Sequence, residues 1–144
     1  MTIIIPHFNG EKIIVNCLES LQKTSFENKE IIVVDNGSTD NSSSLIETQF
    51  PYVKLIKSAV NRGYAGGCNL GFENAEGEYL IFLNNDTLHE PNWIDSLILK
   101  LESDKSISSV QPKILNAIHR KQFDYAGGSG GFLDKYGFTF TRGR

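Results

Sequence analysis

Four short clusters of polar and aromatic residues stand out in the sequence, because each directly follows an apolar run. They combine amide, carboxylate, guanidinium and aromatic side chains, and they lie at residues 6–9 (PHFN), 35–38 (DNGS), 61–63 (NRG) and 84–86 (NND). Carboxylate and carbonyl oxygens suit a hard divalent cation, and an aromatic ring can stack on a flat ligand. The four clusters therefore predict a site for a polar ligand that contains a ring, provided that the fold brings them together.

The apolar runs before these clusters predict the strands that position them. The runs at residues 2–5, 30–34, 52–57 and 79–83 have the length and pattern of strands, and a fifth strand is predicted at 108–111. The segments between them carry apolar residues at helical spacing, at Ile14, Cys17, Leu18 and Leu21, at Ala65, Cys68, Phe72 and Ala75, and at Ile94, Leu97, Ile98 and Leu101. Alternating strands and helices predict an α/β fold, with a mostly parallel sheet and helices on both faces.

Turn residues predict where these helices begin and end. Several residues within 38–41 could cap a helix that turns Leu45 and Ile46 inward and ends before Pro51. Gly77 is expected to close the third helix, and Pro91 suits the first position of the last one. The periodicity disappears at about residue 116, and a long loop of interleaved glycines and aromatics is predicted from there to residue 144.

In an open parallel sheet, ligands bind beyond the carboxyl ends of the strands, which is where the four clusters lie. The first of these turns has no Gly-x-Gly-x-x-Gly motif, and no Gly-Lys-Ser/Thr occurs in the sequence, so dinucleotide-fold and P-loop sites are excluded. A phosphate bound without these devices is usually neutralised by a carboxylate-bound divalent cation. Asp86, at the tip of an apolar strand, is the natural ligand for that cation.

Composition and charge narrow the class of protein further. The chain has 144 residues, 40% of them hydrophobic, and a net charge of −3, which predicts a globular domain and argues against charge-driven binding of nucleic acid. Its two cysteines are predicted to be buried thiols rather than a disulfide. No run is long enough for a signal peptide or a membrane span, so a cytoplasmic protein is expected.

In four motifs that span nearly the whole chain, the sequence resembles the inverting family 2 glycosyltransferases. The motifs are IIIPHFN at the first strand, IIVVDNGSTD at the second, NRGYAGGCNLG at the third helix and GEYLIFLNND at the fourth strand. A weaker resemblance, to rhamnosyltransferase-like members, lies in the segment FDYAGGSGGFLDKYGF. The resemblance implies the GT-A fold, a Rossmann-like nucleotide-sugar-binding sheet, here truncated.

The resemblance also implies roles for individual residues. Phe8 matches an aromatic that packs on the nucleobase, and Asp35 a carboxylate that accepts a hydrogen bond from a pyrimidine N3–H. Asn84 stands where the family usually has the first Asp of its DxD motif, near the ribose. Asp86 matches the final Asp, which binds Mn²⁺ or Mg²⁺ on the donor diphosphate. The remaining residues assigned to nucleotide binding are Pro6, Asn9, Asn61, Arg62 and Asn85.

Simpler structural roles are open for several of these residues. Asp35 could form only an Asx turn and a helix cap, Asp86 could cap the helix near Pro91, and Phe8 could belong to the core. Arg62 is as well explained by a surface charge as by a phosphate contact. The three histidines share no metal-ligand spacing and are expected to be solvated or locally bonded, at His7, His89 and His119.

The chain is expected to be the donor-binding part of a longer enzyme. Residues 1–115 form the predicted nucleotide-sugar-binding domain, and residues 116–144 lead into a missing acceptor-binding half that carries the catalytic base, beyond residue 144. The predicted donor is a UDP- or dTDP-sugar, and the predicted acceptor is a saccharide or a lipid-linked molecule. The full enzyme is expected to act in cell-surface polysaccharide synthesis, in the cytoplasm or at the inner face of the membrane. The aromatic tail, which is the glycine-rich stretch 127–131 with Phe132, Tyr136 and Phe138, is expected to be mobile here or to be buried in a self-association contact. The alternative is a nucleotide-sugar-binding module without turnover.

Overall fold

The chain divides into two compact units, residues 1–92 and 93–144, each of which is described by itself. The computed structural model describes residues 1–122, 131–133, 135 and 139–141. The first unit alternates strands and helices, in the order β1 (Thr2–His7), α1 (Glu11–Gln22), β2 (Glu30–Asp35), α2 (Ser42–Gln49), β3 (Lys54–Lys57), α3 (Gly63–Phe72) and β4 (Leu80–Phe82). This alternation confirms the predicted α/β class.

The four strands of the first unit form one parallel sheet in the order β3-β2-β1-β4. The two central strands are continuous runs of buried Ile and Val, because a parallel sheet is covered on both faces. β1 continues through Pro6 to His7, two residues beyond its predicted end. The ring nitrogen of Pro6 faces the side of β4, and β4 has already ended at a residue paired with Ile4, so no ladder hydrogen bond is lost there.

Helix α1 confirms the predicted apolar stripe, since its four side chains are fully buried, at Ile14, Cys17, Leu18 and Leu21. The right-handed crossovers from β1 to β2 and β3 place α1 and α2 on one face of the sheet, and the return through α3 to β4 uses the other face. Helix α2 begins at Ser42, just after the predicted capping segment, and ends before Pro51. Helices therefore cover both faces, as predicted.

The stripe predicted for α3 is only partly right, since Cys68 is buried but Ala65 is exposed. Its Phe72 is 55% exposed, and Ala75 lies beyond the end of the helix. The buried face instead contains Gly67 and Gly71, where a Cβ atom would collide with Pro6 and Ile4 respectively. Glycine lets this helix lie unusually close to β1, and a pattern of apolar side chains cannot reveal a contact face that is made of glycine.

The second unit contains α4 (Trp93–Glu102) and an antiparallel pair of short strands, β5 (Gly131–Leu133) and β6 (Thr139–Thr141). Two sequence expectations are wrong here: residues 108–111 form no strand, and the long loop predicted after residue 116 contains β5 and β6. The run at 108–111 has too few apolar residues to favour a sheet over a surface segment. The predicted division into residues 1–115 and 116–144 stays a prediction.

Helix α4 begins at Trp93 rather than at Pro91. The carbonyl oxygen of Pro91 accepts hydrogen bonds from the amide and the hydroxyl of Ser25, so it is engaged with the segment after α1 instead of starting a helical turn. In the part of the chain that the structure describes, no helix combines the length and the apolar character that a membrane span needs.

Candidate functional site

The candidate site lies at the carboxyl end of the sheet, between β1 and β4. From β1 the chain moves outward to β2 and β3, and it then returns to the other side of β1 to form β4. The strand order therefore reverses between β1 and β4. In open α/β sheets such a reversal leaves a crevice between the two diverging crossovers, and ligands bind there.

Hydrogen bonds lock the loop after β1 to the loop after β2. The Asn9 amide donates to the Ser38 hydroxyl over 2.9 Å, and the Asn9 side-chain oxygen accepts from the Thr39 amide over 2.8 Å. The Gly10 amide donates to the Asp40 carboxylate over 2.7 Å. These contacts need a left-handed backbone at Asn9 and Gly10, whose φ angles are 53° and 102°. The predicted site residue Asn9 thus shapes the wall of the crevice.

Asp35 ends β2 and is 5% exposed. One carboxylate oxygen accepts from the Ser38 amide over 2.8 Å, and the other accepts from the Ser43 hydroxyl in the first turn of α2. Burial acts to raise the pKa of Asp35, but these hydrogen bonds and nearby His7 outweigh it, so the pKa lies below its ordinary value. The interpretation of Asp35 as a turn residue is confirmed, whereas it does not cap α2, whose N-terminal cap is Asn41 and which has no side-chain capping bond. The carboxylate is ionised at neutral pH.

The two residues that flank His7 in the chain differ in exposure. Pro6 is buried, and its ring packs against Gly67 of α3. Phe8 is 48% exposed, so the interpretation that it belongs to the core is wrong. An aromatic ring held by the end of a central strand and half open to solvent can stack on a planar ligand.

The cluster after β3 caps its own helix. The Asn61 side chain accepts from the Gly63 amide over 2.8 Å, and exposed Arg62 donates from Nε to the Ser58 hydroxyl over 3.1 Å. Asn36, after β2, joins this cluster to the sheet by donating to the Gly63 carbonyl over 3.3 Å. Among the described residues, no hydrogen bond or ion pair brings Asn61 or Arg62 to the β4 end.

The turn after β4 holds a carboxylate of a different kind. Asp86 is exposed, and within the described ranges no hydrogen bond or ion pair engages its side chain. Asn84 is exposed too, and its carbonyl accepts from the Thr87 hydroxyl over 2.8 Å. Asn85 turns inward, where its amide nitrogen lies 2.8 Å from Nδ1 of His7. This turn thus presents a bare negative charge beside the crevice.

The donor atoms around Asp86 fit a cation only with help from a ligand. The described residues contain no group of three or more His, Cys, Asp or Glu side chains that could hold a metal ion. Mg²⁺ and similar hard cations are commonly bound by one or two carboxylates together with substrate phosphates. Asp86 matches that arrangement. The interpretation that Asp86 caps a helix is wrong, because α4 begins at Trp93, too far along the chain.

Two histidines, the buried His7 and the half-buried His89, were missed as parts of this region. His7 is 1% exposed, and burial lowers its pKa, although the carboxylates of Asp35 and Asp40 act in the opposite direction. His89 has its ring nitrogens 2.9 Å from the Ser20 hydroxyl and 3.2 Å from the Thr87 hydroxyl, and burial lowers its pKa to about 4. The sequence analysis expected these histidines to be solvated or locally bonded, and the first of these expectations is wrong for His7 and for His89. Only the continuous burial of a central parallel strand could have suggested that His7 is buried.

A model described as "Glycosyl transferase family 2" matches residues 2–128 of the chain. Among curated proteins, the chain is similar to glycosyltransferase GlyG of Streptococcus pneumoniae serotype 4, with 31% identity over 105 residues. The match covers 71% of this chain and 35% of GlyG. The chain thus spans about a third of the length of curated relatives such as GlyG.

Solved structures of glycosyltransferases are similar to this chain in fold. S. aureus TarS 1–349, in complex with UDP-GlcNAc, has 27% identity and a TM-score of 0.64, and the match covers 71% of this chain and 31% of that one. The mannosyltransferase PcManGT from Pyrobaculum calidifontis, in complex with GDP-Man and Mn²⁺, has 24% identity and a TM-score of 0.66. That match covers 74% of this chain and 33% of PcManGT. From its sequence and its GT-A-like sheet, the chain belongs to glycosyltransferase family 2.

Proposed function

We propose that the chain is the nucleotide-sugar-binding part of a glycosyltransferase that transfers sugar from a UDP- or dTDP-sugar to an acceptor hydroxyl with inversion. The observation that carries this proposal is the exposed, unengaged carboxylate of Asp86 at the point where the strand order reverses. The related TarS 1–349 has been solved with UDP and with UDP-GlcNAc, which supports a uridine nucleotide donor.

The base of the donor is assigned to Asp35 and Phe8. An ionised carboxylate accepts hydrogen bonds only, so it favours a ring nitrogen that carries a proton, such as N3–H of uracil or thymine. Each oxygen of Asp35 already accepts one hydrogen bond and keeps further acceptor capacity. The half-exposed ring of Phe8 would stack on the same base. Together these residues would select a base that carries a ring N–H at this position, such as uracil or thymine, over adenine, which carries none.

The diphosphate is assigned to a cation held by Asp86, with Asn84 near the ribose. The asparagine at position 84 supplies one negative charge fewer than a second aspartate would, so we expect weak binding of the metal without nucleotide. A bound Mn²⁺ or Mg²⁺ would neutralise the charge that builds on the departing nucleoside diphosphate. The supporting contacts are assigned to the rest of the crevice, to Pro6, Asn9, Asn61, Arg62 and Asn85.

Transfer also needs a base that deprotonates the acceptor hydroxyl. The carboxylates at the crevice are already assigned to the nucleobase and the metal, and we place the base beyond residue 144. Asp124 and Asp134, in the region that approaches it, lie outside the described residues, as do residues 127–130, Tyr136 and Phe138 of the aromatic tail. The alternative function, a nucleotide-sugar-binding module without turnover, is favoured by the same observation, because Asp35 and Asp86 already have the roles assigned above.

Calorimetric titration with UDP, dTDP, GDP and ADP in the presence of Mn²⁺ tests the donor assignment. We expect UDP and dTDP to bind at least tenfold more tightly than ADP, a discrimination of about 1.4 kcal/mol. GDP, whose base also carries a ring N–H, shows how far size and shape add to the choice made by the carboxylate. Equal affinities for all four would contradict the role of Asp35. Heat from Mn²⁺ dilution and a titration of uridine alone serve as controls.

A transfer assay separates the enzyme from the binding module. The 144-residue chain and a longer protein from the same gene are each given UDP-hexoses or dTDP-rhamnose with an oligosaccharide or lipid-linked acceptor. We expect transfer by the longer protein only, because this chain binds the donor but does not carry the base. Absence of transfer by both would favour the module, and robust transfer by this chain would contradict the placement of the base.

A further inference from the structure

His7 occupies an unusual place among the polar residues of the crevice. It is the last residue of the central strand β1, it is 1% exposed, and its Cα is in register with that of Asp35. A ligand in the crevice cannot touch so deeply buried a side chain. Any influence of His7 on binding must therefore pass through the residues that it contacts.

The hydrogen bond of the His7 ring leads to the turn that carries Asp86. The Asn85 amide nitrogen, which can only donate, lies 2.8 Å from Nδ1. Nδ1 is therefore the acceptor, and the proton of the neutral ring is on Nε2. This hydrogen bond joins residues 78 positions apart in the chain, and it ends on the immediate neighbour of Asp86.

Other contacts hold this turn on both sides of Asp86. Before it, the Leu83 amide donates to the Ile4 carbonyl over 2.9 Å. After it, the Thr87 hydroxyl bonds the Asn84 carbonyl and lies 3.2 Å from His89, which is bonded to Ser20 of α1. Asp86 itself has no hydrogen bond or ion pair in the described part of the chain. The direction of its carboxylate is therefore set by the backbone, which is anchored to β1 through Asn85 and to α1 through the segment from Thr87 to His89.

The cost of His7 to the fold also indicates a role beyond packing. Nε2 is buried and has no hydrogen-bond partner among the described residues. A buried donor without a partner destabilises the folded state, and an apolar side chain of similar size would avoid that loss. A histidine whose only gain is the bond to Asn85 is explained if that bond is needed for the site.

We propose that His7 is a positioning residue, which holds the turn after β4 through Asn85 and so directs the Asp86 carboxylate toward a cation on the donor diphosphate. The inference rests on the proposed function, because it assumes that Asp86 binds the metal. Groups that orient a metal ligand without touching the metal commonly change metal affinity about 10–100-fold when they are removed. His7 acts one step further away, through a neighbour, so the lower end of that range applies.

The test compares His7→Leu with His7→Asn by titrating UDP in Mn²⁺ and, separately, in EDTA. Leucine keeps much of the volume and removes the acceptor, whereas the side-chain oxygen of asparagine can occupy the place of Nδ1. We expect His7→Leu to weaken binding in Mn²⁺ about tenfold and leave binding in EDTA unchanged. We expect His7→Asn to retain affinity within about threefold. Ile3→Val, a buried change on the same strand, is the matched control for lost packing.

A second variant keeps the inference testable if His7→Leu does not fold. Asn85→Leu removes the same hydrogen bond from the partly exposed side, and it should weaken binding in Mn²⁺ at least as much as His7→Leu, because Asn85 is also assigned a supporting contact with the nucleotide. If both variants fold, the double variant should lose no more UDP affinity than the single variant that binds UDP less tightly, because both changes remove one shared hydrogen bond. Additive losses would contradict the coupling.

The outcomes distinguish this inference from the function on which it rests. If the parent chain binds no UDP in Mn²⁺, the proposed function fails. If the parent binds, Asp86→Ala abolishes binding and His7→Leu binds like the parent, only the role of His7 is overturned. Equal weakening by His7→Leu in Mn²⁺ and in EDTA would also overturn it, because that result indicates a general loss of structure.

Discussion

Strands β2 and β4 flank β1 on its two sides, and each leads to an aspartate in a contrasting environment. Asp35, after β2, is buried, and both of its oxygens accept hydrogen bonds from the chain itself. Asp86, after β4, is exposed, and the described residues offer it no such partner. The first carboxylate has a fixed direction, which suits recognition of a flat base. The second keeps its full capacity for a cation.

The two arrangements also differ in energetic cost. Burying a carboxylate is unfavourable unless hydrogen bonds replace its water, and the turn after β2 supplies them from Ser38 and Ser43. An exposed carboxylate keeps its water until a ligand displaces it. The chain therefore completes one half of the site by folding, and it leaves the other half for the ligand to complete.

The largest effect is expected from Asp86→Ala. Without this carboxylate, the diphosphate would meet only carbonyl and amide groups, so we expect UDP affinity in Mn²⁺ to fall about 100-fold, or roughly 2.7 kcal/mol. Because the side chain is exposed and unbonded, the free energy of unfolding should change by less than about 0.5 kcal/mol. Calorimetry and thermal unfolding measure the two quantities. Asp86→Asn should behave similarly, whereas Glu19→Gln, an exposed change on α1, should leave both unchanged.

Asp35→Asn should show the reverse pattern, a loss of stability together with a loss of base selectivity. The amide cannot accept at both ends, so one partner is left unpaired at a cost of about 1–3 kcal/mol. We expect the preference for UDP over ADP to fall about tenfold, since one of the two acceptor oxygens becomes a donor. Denaturant unfolding and paired titrations check the two effects. A variant as stable as the parent would contradict the claim that folding completes this half of the site.

The segment after β4, which carries His89, and the turn after β2, which carries Asp35, should also lose folding stability in different pH windows. The pKa of His89 is about 4 in the folded chain against 6.5 ordinarily, so the unfolded chain binds more protons between these values. Stability should therefore fall as pH falls from 6.5 to 4. The pKa of Asp35 lies below 3.8, so its contribution is present above that value and is lost only at lower pH.

Thermal unfolding as a function of pH separates these windows. His89→Gln should flatten the fall between pH 6.5 and 4, and Asp35→Asn should differ least from the parent below pH 3.8. Because His7 also has a lowered pKa, part of the fall should persist in His89→Gln. An unchanged profile in His89→Gln would contradict the burial of this histidine in the β4 segment.

The smallest effect is expected from Arg62→Ala. Its guanidinium is exposed and bonded to Ser58, so its attraction to a phosphate is weakened by solvent and salt. We expect UDP affinity to fall no more than about threefold, which is roughly 0.65 kcal/mol. Arg62→Lys, which keeps the charge, should bind like the parent in 0.15 M salt. A loss as large as that of Asp86→Ala would place Arg62 on the diphosphate.

Local sequence patterns predicted the elements whose burial follows from their own side chains. The Ile and Val runs of β1 and β2 and the stripe of α1 confirm this. Helix α3 was misread because its contact face is built from glycines, which carry no apolar signal. The hydrogen bond between His7 and Asn85 was beyond local patterns for another reason, since it joins positions that meet only when β4 returns beside β1.

The same distinction applies to the predicted site. Asp35 and Asp86 could be recognised as candidate site residues from the sequence, since each follows an apolar strand. Their opposite environments could not, because they depend on where Ser38, Ser43 and the β1 loop come to lie. The predicted base contact, metal contact and catalytic base stay predictions until ligand is bound.

Electron paramagnetic resonance of Mn²⁺ measures whether Asp86 and the nucleotide bind the metal together, because it counts free and bound metal with and without UDP. We predict little bound Mn²⁺ with the chain alone. When UDP is added, we predict about one Mn²⁺ per chain beyond the amount that UDP binds by itself, and loss of that signal in Asp86→Ala. Equal Mn²⁺ binding by the parent and Asp86→Ala in the presence of UDP would contradict the claim that ligand and Asp86 complete the site together.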